Sequence, residues 1–375
     1  MKLILFLKAN WIFNKPKKKN ILIYDEESEK IAHLIFNKED CELMSVRYES
    51  LNLYIIILTL LKSGIKNFQN NYKLNYIKTV SPKIIFSVFT WNPAFFKLKD
   101  IYNEATYINI ISSNIDNRFK NECDKYYSDN QNKRLKADHI FIPGKYYENI
   151  FSKLIDANIY ISGSFLNNYF NFTKKNDANN IRSLLFISQI NPFLKDYPDN
   201  CPKAKYMEKI KKEIKIFSVL NDYCKRKKYK LNLCSKNPPS SETYYRNNYA
   251  KGNWNFFPNT GLGSYKIANN SNLIVFTNST LGIEVLSKRI RAVSFPPENF
   301  PIEDHSKKYP SAGPFWSCAI NQQIIESYLE KIIKYSDEEW DQVIKENIDD
   351  IMKYDPKNTV FYEVMKKNNL QHLIL

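Results

Sequence analysis

Residues 273–289 read LIVFTNSTLGIEVLSKR and combine a buried strand with the start of a helix. The apolar run Leu273–Thr277 is typical of a strand that is covered on both faces of a parallel sheet. Asn278, Ser279 and Thr280 follow at once, and their side chains are of the kinds that begin helices. The segment therefore predicts a strand–loop–helix unit of an α/β protein.

The start of this predicted helix is suited to holding a phosphate group. Backbone N–H groups and the helix dipole attract anions there, and the hydroxyls of Ser279 and Thr280 would add donors. Gly282 and Glu284 lie in the first turns, and Glu284 is too far inside the helix to complete a capping box, so it could accept hydrogen bonds from sugar hydroxyls. The structural alternative is that Asn278 or Ser279 only caps the helix while Glu284 complements its dipole.

Similar strand and helix patterns extend outward in both directions. Apolar strands are predicted at 20–24, 41–46, 83–89, 106–111, 139–142, 158–161, 184–188, 229–233 and 290–295. Helical spacing is predicted at 31–35, 146–155, 206–220, 324–333 and 336–351, and the last of these begins with a capping box of Ser336 and Glu339. The alternation predicts an α/β fold with two Rossmann-like parallel-sheet domains and a helical C-terminal tail.

The length of 375 residues is enough for two domains with separate cores. The polar segment Thr173–Asn180 near the middle of the chain is the best candidate for a linker. We therefore predict an N-terminal arm at residues 1–19, a first Rossmann-like domain at 20–175 and a second at 176–375 that includes the terminal helices. Because parallel sheets bind ligands beyond the carboxyl ends of their strands, we expect the function in a cleft between the domains.

Composition excludes several classes of protein. The chain is 43% hydrophobic, so it folds despite a net charge of +16, and no G-x-x-x-x-G-K-[ST] phosphate loop occurs. Its six cysteines form no C-x-x-C pair and only four histidines accompany them, so no zinc or iron–sulfur spacing is present. The N-terminus does not read as a signal peptide, which predicts reduced thiols and a cytoplasmic location.

The basic charge predicts an anionic neighbour. The N-terminal stretch MKLILFLKANWIFNKPKKKN joins apolar and aromatic residues to a lysine cluster, a pattern that predicts peripheral contact with an anionic membrane; an N-terminal strand with a solvated turn is the alternative. The apolar run Leu53–Leu61 is too short to span a bilayer, which takes about 20 residues, and is predicted to be a buried core element. No nucleic-acid-binding module is recognisable, so no nucleic-acid partner is expected.

The segment STLGIE at 279–284, with Lys288 and Arg289 before the next strand, resembles the donor site of GT-B-fold glycosyltransferases. The similarity is greatest to bacterial surface-carbohydrate biosynthesis proteins, which include capsule and lipopolysaccharide sugar transferases. Further short motifs occur in the matching order, namely NILIYD at 20–25, HIFIP at 139–143, SGSFLNN at 162–168, LLFISQ at 184–189 and GPFW at 313–316. The resemblance implies two Rossmann-like domains facing across a cleft, the first for the acceptor and the second for a nucleotide-sugar donor.

In the second half, several more residues become candidates for donor binding. Ser188 and Gln189 end a strand, where donors bind in this architecture, although capping of the loop explains them equally well. Arg246 or Lys266 could pair with the donor phosphate. Tyr244 or Tyr245 could stack on a base, although packing is the commoner role of any single tyrosine.

The first half contributes candidates for the cleft and for the chemical step. Gly163, Ser164 and Asn168 follow a strand, and the missing glycine side chain would let a phosphate or sugar approach, unless the turn is only structural. Asp25, after the first strand, is the best-placed carboxylate for the base of an inverting transfer, although a solvated helix start explains it too. His305 lies in a proline-rich loop. No D-x-D motif occurs, so neither a metal nor another cofactor is expected.

These features predict a cytoplasmic, metal-independent glycosyltransferase that moves a sugar from a nucleotide donor to a glycan or lipid-linked glycan of the cell surface. A polyol-phosphate transferase of the teichoic-acid type is one alternative. Another is a catalytically silent partner that binds a glycan or nucleotide sugar. It is suggested by Thr90, where the resembling family has an acidic residue, and by Ser112–Asn114, which replace a Gln-Asn-Gly-like turn.

Overall fold

The computed structural model describes residues 9–47, 50–88, 93–111, 117–130, 133–170, 183–191, 203–260, 262–297 and 310–375. The chain divides into two compact units. The first contains residues 1–168 together with 355–375, and the second contains residues 169–354. The predicted linker Thr173–Asn180 lies outside the described residues.

The first unit is built on a six-stranded parallel sheet in the order β3-β2-β5-β6-β7-β8. Its strands are β2 (Ile21–Tyr24), β3 (Cys41–Met44), β5 (Ile84–Ser87), β6 (Thr106–Ile110), β7 (Leu135–Ile142) and β8 (Ile155–Ile161). Two further strands, β1 (Asn10–Ile12) and β4 (Ser50–Asn52), pair with each other in parallel. The central strands are buried on both faces, as their continuous apolar runs predict.

Helices follow most of these strands. They are α1 (Glu26–Ile35), α2 (Leu53–Ser63), α3 (Phe68–Val80), α4 (Ala94–Lys97), α5 (Asn117–Asp129), α6 (Lys145–Leu154), α7 (Phe165–Tyr169) and, at the C-terminus, α14 (Thr359–Lys367). Helix α14 packs on one face of the sheet, where Phe361 and Met365 share a core with Ile21 and Phe86.

The second unit holds a five-stranded parallel sheet in the order β11-β10-β9-β12-β13. Its strands are β9 (Ser183–Ser188), β10 (Lys230–Ser235), β11 (Trp254–Phe257), β12 (Leu273–Phe276) and β13 (Ala292–Ser294). Its helices are α8 (Lys203–Lys227), α9 (Glu242–Asn248), α10 (Gly263–Asn269), α11 (Thr280–Ser287), α12 (Gln322–Lys334) and α13 (Asp337–Asn347).

Each sheet has a position at which the strand order reverses. In the second unit the chain moves outward from β9 through β10 to β11 and then returns to β12 on the other side of β9. Loops that leave neighbouring strands in opposite directions open a crevice, so ligands bind beyond the carboxyl ends of such strands. The crevice of the second unit therefore lies after β9 and β12, and that of the first lies after β2 and β5.

The prediction of an α/β protein with two Rossmann-like parallel sheets is confirmed, and so is the capping box of Ser336 and Glu339. The division of the chain differs from the prediction at two places. The first unit ends at Asn168, seven residues before residue 175, and it also takes residues 355–375, which were expected in the second domain. The physical reason for the second difference is the apolar face of α14, which is buried in the core of the first unit.

The prediction that Leu53–Leu61 is a buried core element is wrong for one face of helix α2. Ile55 and Thr59 are fully buried, but Leu61 is 81% exposed and Ile57 is 49% exposed. The run is apolar around its whole circumference, so periodicity could not distinguish an exposed face from a covered one.

Candidate functional site

A cavity of about 240 Å³ lies in the second unit at the crevice between β9 and β12. Its lining comes from α8 and from the segments after β9, β10, β12 and β13, and consists of Gln189, Ile190, Tyr206, Lys209, Lys212, Glu213, Lys236, Thr277, Asn278 and Pro297. The N-terminus of α11 follows Asn278 directly, so its backbone N–H groups begin at the edge of the cavity.

Three lysines make this cavity basic. Lys209 and Lys212 project from α8, and Lys236 follows β10. The ammonium group of Lys212 donates to the carbonyl oxygens of Pro296 at 2.7 Å and Cys318 at 2.8 Å, and burial lowers its pKa. A second cavity of about 380 Å³ shares Lys209, Lys212 and Pro297 with the first and adds Lys211 and Lys215. A basic surface with a helix N-terminus at its edge is suited to phosphate groups.

Glu213 lies at the base of the cavity with 2% of its surface exposed. Its carboxylate accepts four hydrogen bonds, from Ser188 Oγ at 2.6 Å, Gln189 N at 3.0 Å, Thr277 Oγ1 at 3.1 Å and Tyr249 OH at 3.2 Å. Burial raises the pKa of this carboxyl, and the hydrogen bonds oppose that shift. Since three of its four donors lie at the ends of β9 and β12, Glu213 fixes the two loops that form the crevice.

A second buried network joins the end of β10 to that of β9. The hydroxyl of Tyr245 donates to the Ile190 carbonyl oxygen at 3.1 Å and contacts the hydroxyls of Ser188 and Ser235 at 3.2 and 3.0 Å. Asn237 donates to the same Ile190 carbonyl at 2.6 Å. The floor of the cavity is therefore a connected and rigid set of polar side chains.

Five of the predicted donor residues lie at or beside this cavity. Gln189 and Asn278 line it, and Ser188 holds Glu213 beneath it. Ser279 is the N-cap of α11, and Thr280 is its first residue; the Ser279 side chain makes no capping hydrogen bond to the helix. The predicted anion site at the start of this helix thus has a cavity next to it, and simple side-chain capping by Ser279 is not what the structure shows.

Gly282 has a packing role that the sequence analysis did not consider. A Cβ atom at this position would overlap the ring of Phe276, a fully buried residue of β12. The glycine therefore lets α11 approach the strand closely, and this explains it without a direct contact to a donor.

We expect Gly282→Ala to lower the free energy of unfolding by about 1–3 kcal/mol, because the buried ring must move to admit the methyl group. Gly263→Ala is the matched control, since the Cβ atom would meet only the side-chain hydroxyl of the exposed Thr260. Urea unfolding of both variants measures the difference. Equal stabilities of the two would contradict the packing role.

Glu284 is buried inside α11, with 1% of its surface exposed. It accepts a hydrogen bond from Tyr265 OH at 3.1 Å. One turn further along, Lys288 donates to the Phe170 carbonyl oxygen at 2.9 Å, and burial lowers its pKa to about 8, against a smaller opposite effect of Glu284. The predicted role of Glu284 as a free acceptor for sugar hydroxyls is thus not favoured in this arrangement.

The lowered pKa of Lys288 predicts a pH dependence of stability. In the unfolded chain the Lys288 side chain keeps its proton up to its ordinary pKa of 10.5. In the folded chain it loses the proton near pH 8. Between these values the unfolded chain binds more protons, so rising pH favours folding through this group. The wild type should therefore gain stability relative to Lys288→Met as the pH rises from 8 to 10.5. We expect the difference in the free energy of unfolding, variant minus wild type, to fall over this range. A difference that is constant over this range would contradict the assignment.

Three other predicted donor residues lie away from the cavity lining. The guanidinium of Arg246 stacks on Trp254 at 3.9 Å and donates to Glu242 at 3.0 Å, so packing and a local ion pair explain it. Lys266 is exposed on α10 and does not line the cavity. Tyr245 is fully buried in the network of the floor and cannot stack on a base, so only the half-buried Tyr244 stays a candidate for that role.

Asp25 has a structural environment in the first unit. It is fully buried at φ 79°, caps α1 through a bond from Glu27 N at 2.9 Å, and receives two hydrogen bonds from Arg47 at 2.5 and 2.9 Å. A general base must reach the hydroxyl that it deprotonates, and a buried carboxylate held by a guanidinium does not. We therefore assign Asp25 to the architecture of the crevice and not to the chemical step.

Gly163 and Ser164 form the turn after β8, and Asn168 lies in the short helix α7 that follows it. Gly163 takes φ 73°, which favours glycine, and this accounts for its presence. Asn168 is fully buried and donates to Ser162 O at 2.7 Å and to Asn358 Oδ1 at 3.0 Å. The turn thus ties β8 to the C-terminal segment, and the structural alternative explains Asn168.

Several predictions fall on residues outside the described part of the chain, namely Thr90, Ser112–Asn114 and His305. In the part that is described, no helix has the length and apolar character needed to cross a membrane. The described residues also contain no group of three or more histidine, cysteine or acidic side chains that could hold a metal ion. Metal independence of the activity stays a prediction.

Glu213 and the lysines that line the cavity were not among the residues predicted from the sequence. A signal for Glu213 was present, because the carboxylate lies within the apolar helical spacing of Ile210, Ile214 and Phe217. A charged residue on the apolar face of a helix is normally paired or functional. Lys209, Lys212 and Lys236 gave no comparable signal in a chain with 55 lysines and arginines.

The profile of one protein family, described as "putative O-antigen biosynthesis protein", matches residues 113–369. No curated protein sequence matches the chain significantly.

Several solved structures resemble the whole chain. A UDP-GlcNAc 2-epimerase from Neisseria meningitidis bound to UDP-GlcNAc has a TM-score of 0.54 and 12% identity, over 93% of this chain and 99% of the other. The S. aureus MnaA–UDP co-structure has a TM-score of 0.50 and 14% identity, over 94% and 97%. The wall teichoic acid polymerase TagF has a TM-score of 0.50 and 10% identity, over 95% and 90%. At these identities they show the fold, which is of the GT-B type.

Proposed function

Because the chain belongs to the family of O-antigen biosynthesis proteins, we propose that it is a glycosyltransferase that uses a nucleotide-sugar donor. The expected resemblance to surface-carbohydrate biosynthesis proteins of GT-B fold is confirmed. The acceptor in this proposal is a surface polysaccharide or lipopolysaccharide glycan, free or lipid-linked. The enzyme would act in the cytoplasm, in peripheral contact with the anionic inner face of the membrane.

The observation that carries the proposal is the basic cavity at the crevice between β9 and β12. Lys209, Lys212 and Lys236 supply positive charge, and Asn278 leads into the N-terminus of α11. At about 240 Å³ the cavity is smaller than the usual range of roughly 300–1,000 Å³ for whole ligands, so it suits the phosphates of the donor better than the complete molecule.

Phosphate binding there has a chemical purpose. When the bond from the sugar to the phosphate breaks, the departing nucleotide gains negative charge, and fixed positive groups stabilise it. The lysines and the helix N–H groups can do this without a metal ion. Glu213 would act as a positioning residue, since it is buried beneath the cavity and holds the loops that carry Gln189 and Thr277.

The test is transfer of a labelled sugar from a panel of UDP-, CDP- and CMP-activated donors to membrane glycan extracts. UDP-GlcNAc is the first donor to try, because it occupies the Neisseria meningitidis structure of similar fold. Transfer that requires both donor and extract would support the proposal. Conversion of UDP-GlcNAc without any acceptor would instead indicate an epimerase, and exclusive use of CDP-glycerol a polyol-phosphate transferase. Binding of donor without any product would indicate a silent partner.

A further inference from the structure

Exposed apolar side chains are concentrated in one region of the first unit. Twelve large apolar side chains stand exposed in the described part of the chain, and seven of them lie between residues 12 and 65. They are Ile12, Phe13, Tyr54, Ile57, Leu60, Leu61 and Ile65. Single exposed apolar residues are normal on a folded protein, whereas a concentration of this kind marks an interaction site.

These residues belong to neighbouring elements. Strand β1, which ends at Ile12, pairs with β4, and β4 leads directly into α2. The side chain of Asn52 at the start of α2 donates to the Asn14 carbonyl oxygen at 2.8 Å, and the Lys15 ammonium lies 5.6 Å from the centre of the Tyr54 ring. The end of β1 and the outer face of α2 therefore form one surface, which we call the α2 surface.

Helix α2 has one buried face and one exposed face, and the exposed face belongs to the α2 surface. Ile55 and Thr59, spaced four residues apart, are fully buried. The opposite, outward face carries Tyr54 and, three and seven residues later, Ile57 and Leu61. The helix is thus anchored in the unit on one side and presents aliphatic and aromatic groups to the outside on the other.

The charge around the α2 surface is mostly positive, although the half-buried Glu42 lines a cavity together with Ile12, Lys15 and Lys17. Residues 50–99 contain no Asp or Glu, and the first acidic residue of the whole chain is Asp25. Exposed lysines neighbour the exposed apolar residues in the chain, at positions 15, 17, 18, 62 and 66. A surface with an apolar centre and an excess of positive charge at its edges complements a bilayer whose headgroups are anionic.

We propose that the α2 surface docks the protein on an anionic lipid bilayer, with α2 lying in the plane of the interface. Leu61, Ile57 and Phe13 would enter the boundary between headgroups and acyl chains, and the lysines would contact lipid phosphates. Helix α2 has 11 residues and is far shorter than the roughly 20 needed to cross the hydrocarbon layer, so it would lie on the membrane. This deepens the membrane contact of the proposed function but does not depend on the donor cavity, which lies in the other unit.

The test is flotation of the full chain with vesicles of phosphatidylcholine and phosphatidylglycerol mixed in about a two to one ratio. We expect wild-type protein to float with these vesicles, to float at least about tenfold less with pure phosphatidylcholine, and to be released by high salt. Leu61→Glu with Ile65→Glu should lower the bound fraction about tenfold. Ile101→Glu with Tyr127→Glu, which adds the same two negative charges at exposed apolar residues elsewhere in the first unit, is the matched control and should float like wild type.

Folding and donor binding are followed in the same samples. Because Leu61 and Ile65 are 81% and 85% exposed, the double variant should keep the melting temperature of the wild type and its shift with UDP, if UDP binds. Failure of wild type to bind the mixed vesicles, or unchanged binding by the double variant, would overturn the proposal. A third outcome would also overturn it: a wild type that is a dimer and binds no vesicles, together with a double variant that is a monomer. The α2 surface would then be an interface between two copies of the chain.

Discussion

Replacing Glu213 by alanine should lower the free energy of unfolding by roughly 3 kcal/mol or more. The change leaves four buried donors without their acceptor, and each such group costs about 1–3 kcal/mol, partly offset by hydroxyls that rotate to new partners. Because Gln189 and Thr277 both lose their anchor, the crevice should also loosen and nucleotide affinity should fall. Urea denaturation and calorimetric titration with UDP measure the two effects.

Two variants make this prediction specific. Glu213→Gln keeps the shape of the side chain and one acceptor oxygen, so its loss of stability should be smaller than that of Glu213→Ala. Glu208→Ala removes an exposed carboxylate from the same helix and should change stability by less than about 0.5 kcal/mol. A Glu213→Ala protein as stable as Glu208→Ala would show that the buried network does not support the site.

Removing the positive charge of the cavity should weaken donor binding more than any other surface change. We expect Lys209→Ala and Lys236→Ala each to raise the Kd for UDP by roughly 10- to 100-fold, since a hydrogen bond to a charged group contributes about 1.5–3 kcal/mol. The melting temperature without ligand should change little for Lys209→Ala, and should fall slightly for Lys236→Ala because the Lys236 ammonium attracts the buried carboxylate of Glu213.

The matched control is Lys225→Ala, which removes a lysine from the exposed C-terminal end of α8, where it lies 3.8 Å from Asp222. Its Kd for UDP should equal that of the wild type. Raising the salt concentration should weaken wild-type binding more than that of Lys209→Ala, because the variant makes fewer ionic contacts. If all three lysine variants bind UDP alike, the phosphates do not lie in this cavity.

Local sequence patterns were sufficient to predict most of the fold. The run Leu273–Phe276 became a buried strand and Thr280–Ser287 a helix, since apolar strands and helix-starting residues act over a few neighbours. The position of α14 could not be predicted in this way. Its apolar stripe needs a partner, but its periodicity does not say which sheet supplies it.

The same limit applies to the candidate site. Asn278 and Gln189 were predicted because they follow strands, and the carboxyl ends of parallel strands meet at one edge of a sheet. Asp25 was predicted by the same rule, yet its buried carboxylate is held by the half-exposed guanidinium of Arg47, 22 residues away. Glu213 was missed because its four partners come from three separate segments of the chain. Contacts between distant residues decide which polar groups are structural and which remain accessible to a ligand.

The central claim is that the cavity beside Asn278 holds the phosphates of a nucleotide. A crystal structure of the full chain with UDP tests it most directly. We predict phosphate oxygens within hydrogen-bonding distance of Lys209 or Lys236 and of the backbone N–H groups that begin α11. UDP bound elsewhere on the protein, with this cavity left to solvent, would contradict the account.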